Sequence, residues 1–497
     1  MPDSSFLKRL TFQNIPCMYK TLPRIMLILT CLLWGYGHAD GANVKITGRS
    51  VDYAGDSLAF FSYSNMITFN EKEIASCVVG DSGVFECTLT LEEPRLIFSH
   101  LGVYNCFMYA EPGMVYEIRL PQKRQKSMAD EANQFFEETS VHLSLKVTGT
   151  TGDFAVPGKD EELNFLIHAF NDYFYPYYYK FAVNAYTDRI DQKELKDAVE
   201  NLQTTFKDIR SPFFLAYMDY RIGLLNHYGN QISSQRIMED FFLDKPVRYQ
   251  NPAYMELFNE IFNGFFVQFS KKHPKRNLPV ILNRDKDYSG LNEILVRDAS
   301  LRNDSLRELI LLKEFYDGFF DQKNIRSSML QLLDSLQINT SIDLHRIMVR
   351  EIMLEITRLL PGYTPPDFAL YDHDSTLVHL SDFRGEYIYL SFCNSFSYYC
   401  IKEYEYLKIL QQRMQGQVRI LTILVDDSFQ SMQELMKNNS YPWTFLHFSN
   451  QPQVIDDYDI QTYPSYFLIG PEGKLILSPA PSPAENFEAT FRQLQIK

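Results

Sequence analysis

Two cysteines, Cys393 and Cys400, stand seven residues apart around the stretch Asn394-Ser-Phe-Ser-Tyr-Tyr399, with Ser397 three residues before Cys400 and Glu403 three residues after it. Thiol residues in such a pattern point to disulfide exchange. That chemistry needs a thiolate to attack a disulfide sulfur and a second cysteine to resolve the mixed disulfide. Ser397 cannot serve as the first of these, because a hydroxyl ionises far above a thiol and no Ser-His-Asp context surrounds it. It reads instead as a helix N-cap, its side-chain oxygen accepting a hydrogen bond from a free backbone N-H. Cys400 then falls in the first helical turn, where the helix dipole favours a thiolate. The pattern leaves it either as an inert, half-buried thiol or as the partner of Cys393. A disulfide between the two requires Cα atoms roughly 4.4 to 6.8 Å apart.

The elements that must hold these residues are legible on both sides. Tyr387 to Phe392 is an apolar run suited to a strand buried on both faces, and a helix follows from Ser397. Val418 to Val425, ending in Asp426 and Asp427, reads as a second buried strand. Tyr463-Pro464 leads into Ser465 to Ile469, Pro471-Glu-Gly-Lys474 is a hairpin turn, and Ala484 to Gln495 is a closing helix.

With Gly362-Tyr-Thr-Pro-Pro-Asp-Phe-Ala-Leu370 and Leu377-Val-His-Leu-Ser-Asp-Phe-Arg-Gly385 ahead of them, these segments resemble the envelope thioredoxins of the TlpA and ResA type. The resemblance covers residues 361 to 497 and implies an α/β thioredoxin-like domain. It sets Phe396 where the family has tryptophan, Ser397 where it has the first active-site cysteine, Cys400 where it has the second, and Glu403 where it has glutamate. It also implies that Tyr463-Pro464 is the cis-proline segment, whose backbone lies beside the active-site turn and is free to receive an extended substrate. A second resemblance, to peroxiredoxins, rests on Ser397 and Glu403 flanking Cys400. The chain departs from that pattern at Cys393, where those proteins carry proline, and in Val454-Ile-Asp-Asp-Tyr458, where acids stand in place of an activating arginine.

Upstream, Lys20-Thr-Leu-Pro-Arg24 precedes the apolar run Ile25 to Leu33, and Gly37-His-Ala39 supplies small residues at cleavage spacing. Residues 1 to 39 therefore read as a secretory signal peptide with an N-terminal extension, cleaved near Ala39, with Met18 as a conventional alternative start. Cys31 lies mid-run, a poor place for lipid attachment. No other stretch reaches the roughly 18 apolar residues of a membrane span, so the mature chain is expected to carry no integral membrane segment. The formal charge is -14; losing Lys8, Arg9, Lys20, Arg24 and Asp3 makes it -17. So acidic a chain, without a basic cluster, repels phosphate backbones and excludes nucleic acid as a natural partner.

The rest divides in two. Residues 40 to 124 alternate in short strands and form a β-sandwich-like domain whose last element is a hairpin at Glu111 to Ile118. Cys77 and Cys87 flank one turn there and are candidates for a disulfide on facing strands. Residues 125 to 360 are helical in pattern, with Pro212, Pro252 and Asn303-Asp304 as punctuation and Ser341 as a plausible cap. Aromatic density peaks in Tyr173 to Phe181, Phe213 to Tyr220 and Phe258 to Phe269; their helical spacing points to core packing ahead of a sugar- or peptide-stacking groove. Arg221 in this apolar setting calls for a buried acid. No cofactor is implied: Gly-x-x-x-x-Gly-Lys is absent, and the histidines, His373 and His379 included, lack metal-ligand spacing.

The expected protein is multidomain α+β, with an N-terminal antiparallel β-domain, an all-α middle and a C-terminal α/β thioredoxin-like fold. Its expected role is that of a degenerate thiol-disulfide oxidoreductase relative in the cell envelope, periplasmic or secreted, binding a polypeptide or envelope protein partner beside Pro464. The alternative is an active redox enzyme that uses Cys400, with or without Cys393, for disulfide exchange or peroxide reduction.

Overall fold

A computed structural model describes residues 41 to 495 except 128–129, 131–135, 148–161, 186–190, 230–232, 415, 427 and 449–450. The signal peptide, its cleavage point, Cys31 and Asp427 lie outside the described residues.

Strands β1 (Ala42–Arg49), β2 (Ser57–Tyr63), β3 (Glu71–Val78), β4 (Val84–Leu91), β5 (Arg95–Leu101), β6 (Tyr104–Ala110), β7 (Val115–Arg119), β8 (Thr139–His142) and β9 (Ser144–Val147) form two sheets, ordered β4-β1-β7-β9 and β3-β2-β5-β6-β8. Period-2 alternation builds the layer between them. In β4, Phe85, Cys87, Leu89 and Leu91 point inward while their neighbours face solvent; Ile46, Phe60, Ile97, Met108 and Tyr116 meet them in one core. Glu111 to Ile118 is not the hairpin expected from sequence. β6 and β7 lie in different sheets, and β7 runs parallel to β1. β8 and β9 lie beyond residue 124 and extend one sheet each, β8 beside β6 and β9 beside β7. Their short, partly polar sequences hide them in a stretch that otherwise reads as a linker. Cys77 on β3 and Cys87 on β4 are joined by a disulfide, Cα to Cα 5.4 Å, which ties the two sheets together.

The middle of the chain holds helices α1 (Leu163–Ala185), α2 (Gln192–Thr205), α3 (Pro212–Tyr228), α4 (Ser234–Phe241), α5 (Pro252–Ile261), α6 (Phe265–Lys272), α7 (Tyr288–Val296), α8 (Asp304–Phe320), α9 (Arg326–Asn339) and α10 (Asp343–Thr357). Pro212 and Pro252 open their helices, where a missing N-H costs nothing. Asn303 caps α8. Ser341 does not cap α10; Thr340 accepts from the Ile342 N-H instead, at 3.0 Å. The aromatic clusters close into a core: Phe170, Phe174, Phe181, Phe214, Tyr217 and Phe258 are all buried together. Arg221 is paired with Glu256 and lies against the Tyr217 ring, 5.1 Å from its centroid. Asn164 at the start of α1 bonds both the N-H and the carbonyl of Tyr109 on β6, at 2.6 and 2.7 Å, docking the helices on the β-domain.

The C-terminal part is a seven-stranded sheet ordered β11-β10-β14-β13-β12-β15-β16, from β10 (Ala369–Asp372), β11 (Leu377–His379), β12 (Ile388–Cys393), β13 (Arg419–Leu424), β14 (Thr444–His447), β15 (Ser465–Ile469) and β16 (Leu475–Leu477). β12, β13 and β14 are parallel, and β15 is antiparallel to β12. Helices α11 (Tyr398–Arg413), α12 (Phe429–Asn439), α13 (Pro452–Asp457) and α14 (Phe487–Gln495) complete it. Among the described residues no helix is long and apolar enough to cross a membrane.

Replacing both Cys77 and Cys87 by alanine removes a closed loop of about ten residues, which on chain-entropy grounds lowers stability by about 2 to 3 kcal/mol. Thermal unfolding with and without reductant checks this: the parent should lose stability on reduction, and the double variant should be insensitive to it.

Candidate functional site

Every residue of β12 is buried, so its end is fixed in the middle of the sheet. Within it Ser391, a polar residue in an apolar strand, bonds Thr422 at 2.8 Å, and Thr422 accepts from the Trp443 ring N-H at 3.0 Å. The strand thus buries no orphaned hydroxyl. It closes on Cys393, whose carbonyl accepts from the Val425 N-H at 2.8 Å. The chain then turns through Asn394 to Ser397 and enters α11.

Ser397 is the N-cap of α11, its hydroxyl accepting from the Cys400 N-H at 3.3 Å. Phe396, Tyr398 and Tyr399 project outward at 72, 72 and 68 % exposure, with Ile401 beside them also exposed. Tyr398 and Tyr399 were not singled out from sequence. A strand-turn-helix with three aromatic residues around its cap, where a helix start favours polar groups, is the signal that marks them.

Cys393 and Cys400 are both free thiols with 0 % exposure, and they share one core with Tyr389, Tyr404 and Tyr466. The two sulfurs face each other. Burial, followed by the Cys400 thiol, pushes Cys393 well above the usual thiol range. Cys400 moves the other way: the Cys393 thiol, the Asn394 N-H and the Ser397 hydroxyl favour its thiolate, against burial and the Asp426 carboxylate. These hydrogen bonds favour the thiolate at Cys400, although neither sulfur touches solvent.

Around the pair the polar groups are incompletely matched. Asp426, at the end of β13, accepts from the Ser395 N-H at 2.8 Å through one oxygen, while its other oxygen is buried without a partner. Asn394 Oδ1, Glu403 Oε2 and the Tyr466 hydroxyl are in the same condition, while the Tyr404 hydroxyl bonds the Cys393 thiol. Asp426 was read from sequence only as the close of a strand. Its position at the carboxyl end of a parallel strand adjoining β12 is what brings it to the turn.

Glu403 is half-buried, and burial raises its carboxyl. It bonds the segment of Ser482 and Ala484 and lies near Cys393. The Tyr463–Pro464 bond is cis. Tyr463 is half-buried and neighbours both cysteines, with burial pushing its hydroxyl up to about 12. The structure thus gathers Cys393, Phe396, Ser397, Cys400, Tyr463 and Pro464 about one turn. Cys77 and Cys87 belong to the distant β-domain. Among the described residues no three His, Cys, Asp or Glu side chains converge as metal ligands.

The sequence profile of the AhpC/TSA family matches residues 361–478. The thiol-disulfide oxidoreductase ResA of Bacillus subtilis is 32% identical over 117 residues, 23% of this chain and 64% of that protein. ResA of Geobacillus thermodenitrificans is 29% identical over 122 residues, 24% of this chain and 70% of its own length. The chain therefore spans just under two thirds of the first of these relatives. Among solved structures, a thiol-disulfide oxidoreductase from Bacteroides fragilis matches 26% of this chain and 98% of its own, at 20% identity and a TM-score of 0.25.

Ser397→Ala removes the cap and should cost about 1 kcal/mol in the C-terminal domain. Hydrogen exchange of peptides covering residues 394 to 403 should speed up with it; unchanged exchange there would show that the hydroxyl does not hold the helix start.

Proposed function

We propose that the C-terminal domain, similar to ResA in sequence, is a thioredoxin-fold domain that serves as a polypeptide-binding module in the cell envelope and does not turn over disulfides. One observation carries this: at the turn where thiol chemistry would need an exposed sulfur, both thiols are fully buried and three aromatic rings are exposed instead. Ser397 is already committed to the helix cap.

Exposed rings supply large contact areas at low entropic cost, and clustered aromatics are typical anchors of binding surfaces. Beside them the Tyr463–Pro464 segment precedes β15, and an extended chain laid there can add main-chain hydrogen bonds to side-chain contacts. The polypeptide as the ligand class follows from that combination. An oxidising compartment is supported by the Cys77–Cys87 disulfide, since such bonds persist mainly outside the cytosol, and by the apolar run of residues 25 to 33 ahead of Ala39.

The rival reading, a redox enzyme working through Cys400, is favoured by one feature, the facing of Cys393 and Cys400. One assay separates the two. The native chain should not catalyse reduction of insulin disulfides, whereas Ser397→Cys, which places a thiol at the partly exposed cap, should gain that activity. Turnover by the native chain equal to that of the variant removes the binding-only reading. In parallel, a reduced and carboxymethylated polypeptide should bind the native chain, and Phe396→Ala with Tyr399→Ala should weaken it about tenfold or more, the loss expected of two anchor residues.

A further inference from the structure

The thiol pair has a geometry that the binding role does not use. Cys393 is held by the sheet: β12 is hydrogen-bonded to β13 on one side and β15 on the other, so its end cannot shift independently. Cys400 sits in the first turn of α11, held at its N-H by the single long bond to Ser397. Four buried polar atoms around the pair lack partners: Asn394 Oδ1, Glu403 Oε2, Asp426 Oδ2 and the Tyr466 hydroxyl. An unmatched buried polar atom costs about 1 to 3 kcal/mol. Their concentration around two facing thiols marks a place shaped for something other than stability, in contrast to the fully bonded Ser391–Thr422–Trp443 chain that starts on β12 two residues before Cys393.

We propose that Cys393 and Cys400 are a redox site that a low-molecular-weight disulfide converts to an internal disulfide, and that this bond controls the aromatic binding surface above it. The control half rests on the binding role argued above; the redox half does not.

The sulfur of Cys400 attacks one sulfur of the oxidant R-S-S-R, forming a mixed disulfide and releasing R-S⁻, which takes up the Cys400 proton. The Cys393 sulfur then attacks that of Cys400, the bond to R breaks, and a second R-SH leaves with the Cys393 proton. Two electrons and two hydrogens pass to the oxidant, yielding one protein disulfide and two thiols. Both sulfurs are buried, so the reaction proceeds through local opening of the turn at 394 to 399, a smaller unit than the domain. An S–S bond is ~2.0 Å long, shorter than any non-bonded sulfur contact. Because β12 is fixed on both sides, closing that gap draws the first turn of α11 toward the sheet. Phe396, Tyr398 and Tyr399 are the residues carried by that turn.

The test uses the full chain equilibrated in glutathione and glutathione disulfide at graded ratios, followed by differential alkylation and peptide mass mapping. The expected result is a peptide pair crosslinked through Cys393 and Cys400 that opens and closes reversibly, while Cys77–Cys87 stays closed. Affinity for a carboxymethylated polypeptide should then differ by at least about fivefold between the two forms, and Cys393→Ser should abolish that difference. Free thiols at every ratio, or a disulfide that leaves affinity unchanged, overturn the proposal; neither result depends on a variant folding. Absence of polypeptide binding in both forms overturns the binding role and the control with it, and the crosslink map then reports on the redox site alone.

Discussion

The site depends on one constraint, the burial of β12 on both faces. A strand of six fully buried residues, paired with β13 and β15, can neither slide nor twist without breaking two ladders and exposing Leu390 and Phe392. Its end is therefore firmly placed. The turn after it must climb out of the sheet within four residues to start α11, and this sets Asn394 to Ser397 at the surface and Cys400 back inside. Exposure of the rings and burial of the sulfurs are two consequences of the same geometry.

Oxygen in place of sulfur at position 397 has a definite physical effect. A cysteine there would be a weak acceptor and a strong nucleophile; a serine is a good acceptor and no nucleophile, and it spends its lone pair on the Cys400 N-H. Serine at this position therefore stabilises the helix start and supplies no nucleophile. On the reading proposed above, thiol chemistry is confined to the buried pair, reached by small molecules when the turn opens, and the aromatic surface makes contacts that form no covalent bond.

The sequence makes the β12–turn–α11 unit legible because its cues are local: an apolar run of strand length, a serine at a cap position, a proline before a second strand. The central segments of the C-terminal sheet follow from cues of the same kind. Less local features escape it. That β7 pairs parallel with β1 is a decision between sheets that alternation within one strand cannot encode, and β8 and β9 are four residues each, too short for periodicity to speak. At the site, the facing of Cys393 and Cys400 depends on how a turn folds back on its strand, and the approach of Asp426 depends on the neighbouring strand's length. Glu403 is of the same kind: the resemblance sets it three residues after Cys400, and only the fold brings it both near Cys393 and to the Ser482 and Ala484 segment.

The remaining domains bear on how such a site is used. The helical middle buries its aromatic density in its own core and fixes itself to the β-domain through Asn164 and, farther along, through Asn259 to the Met66 carbonyl at 2.8 Å. The segment after α10 pairs directly with the C-terminal sheet: the Gly362 N-H donates to the Leu475 carbonyl at 2.7 Å and the Leu475 N-H donates to the Tyr363 carbonyl at 2.8 Å. A domain held at its lead-in edge, with its turn at the carboxyl ends of β12 and β13 left uncovered, keeps its exposed rings available while its position is set by the rest of the chain. The short turn between β12 and α11 joins Cys393 on the strand to Cys400 on the helix and carries the rings, so the bond proposed between the sulfurs would act on the rings directly.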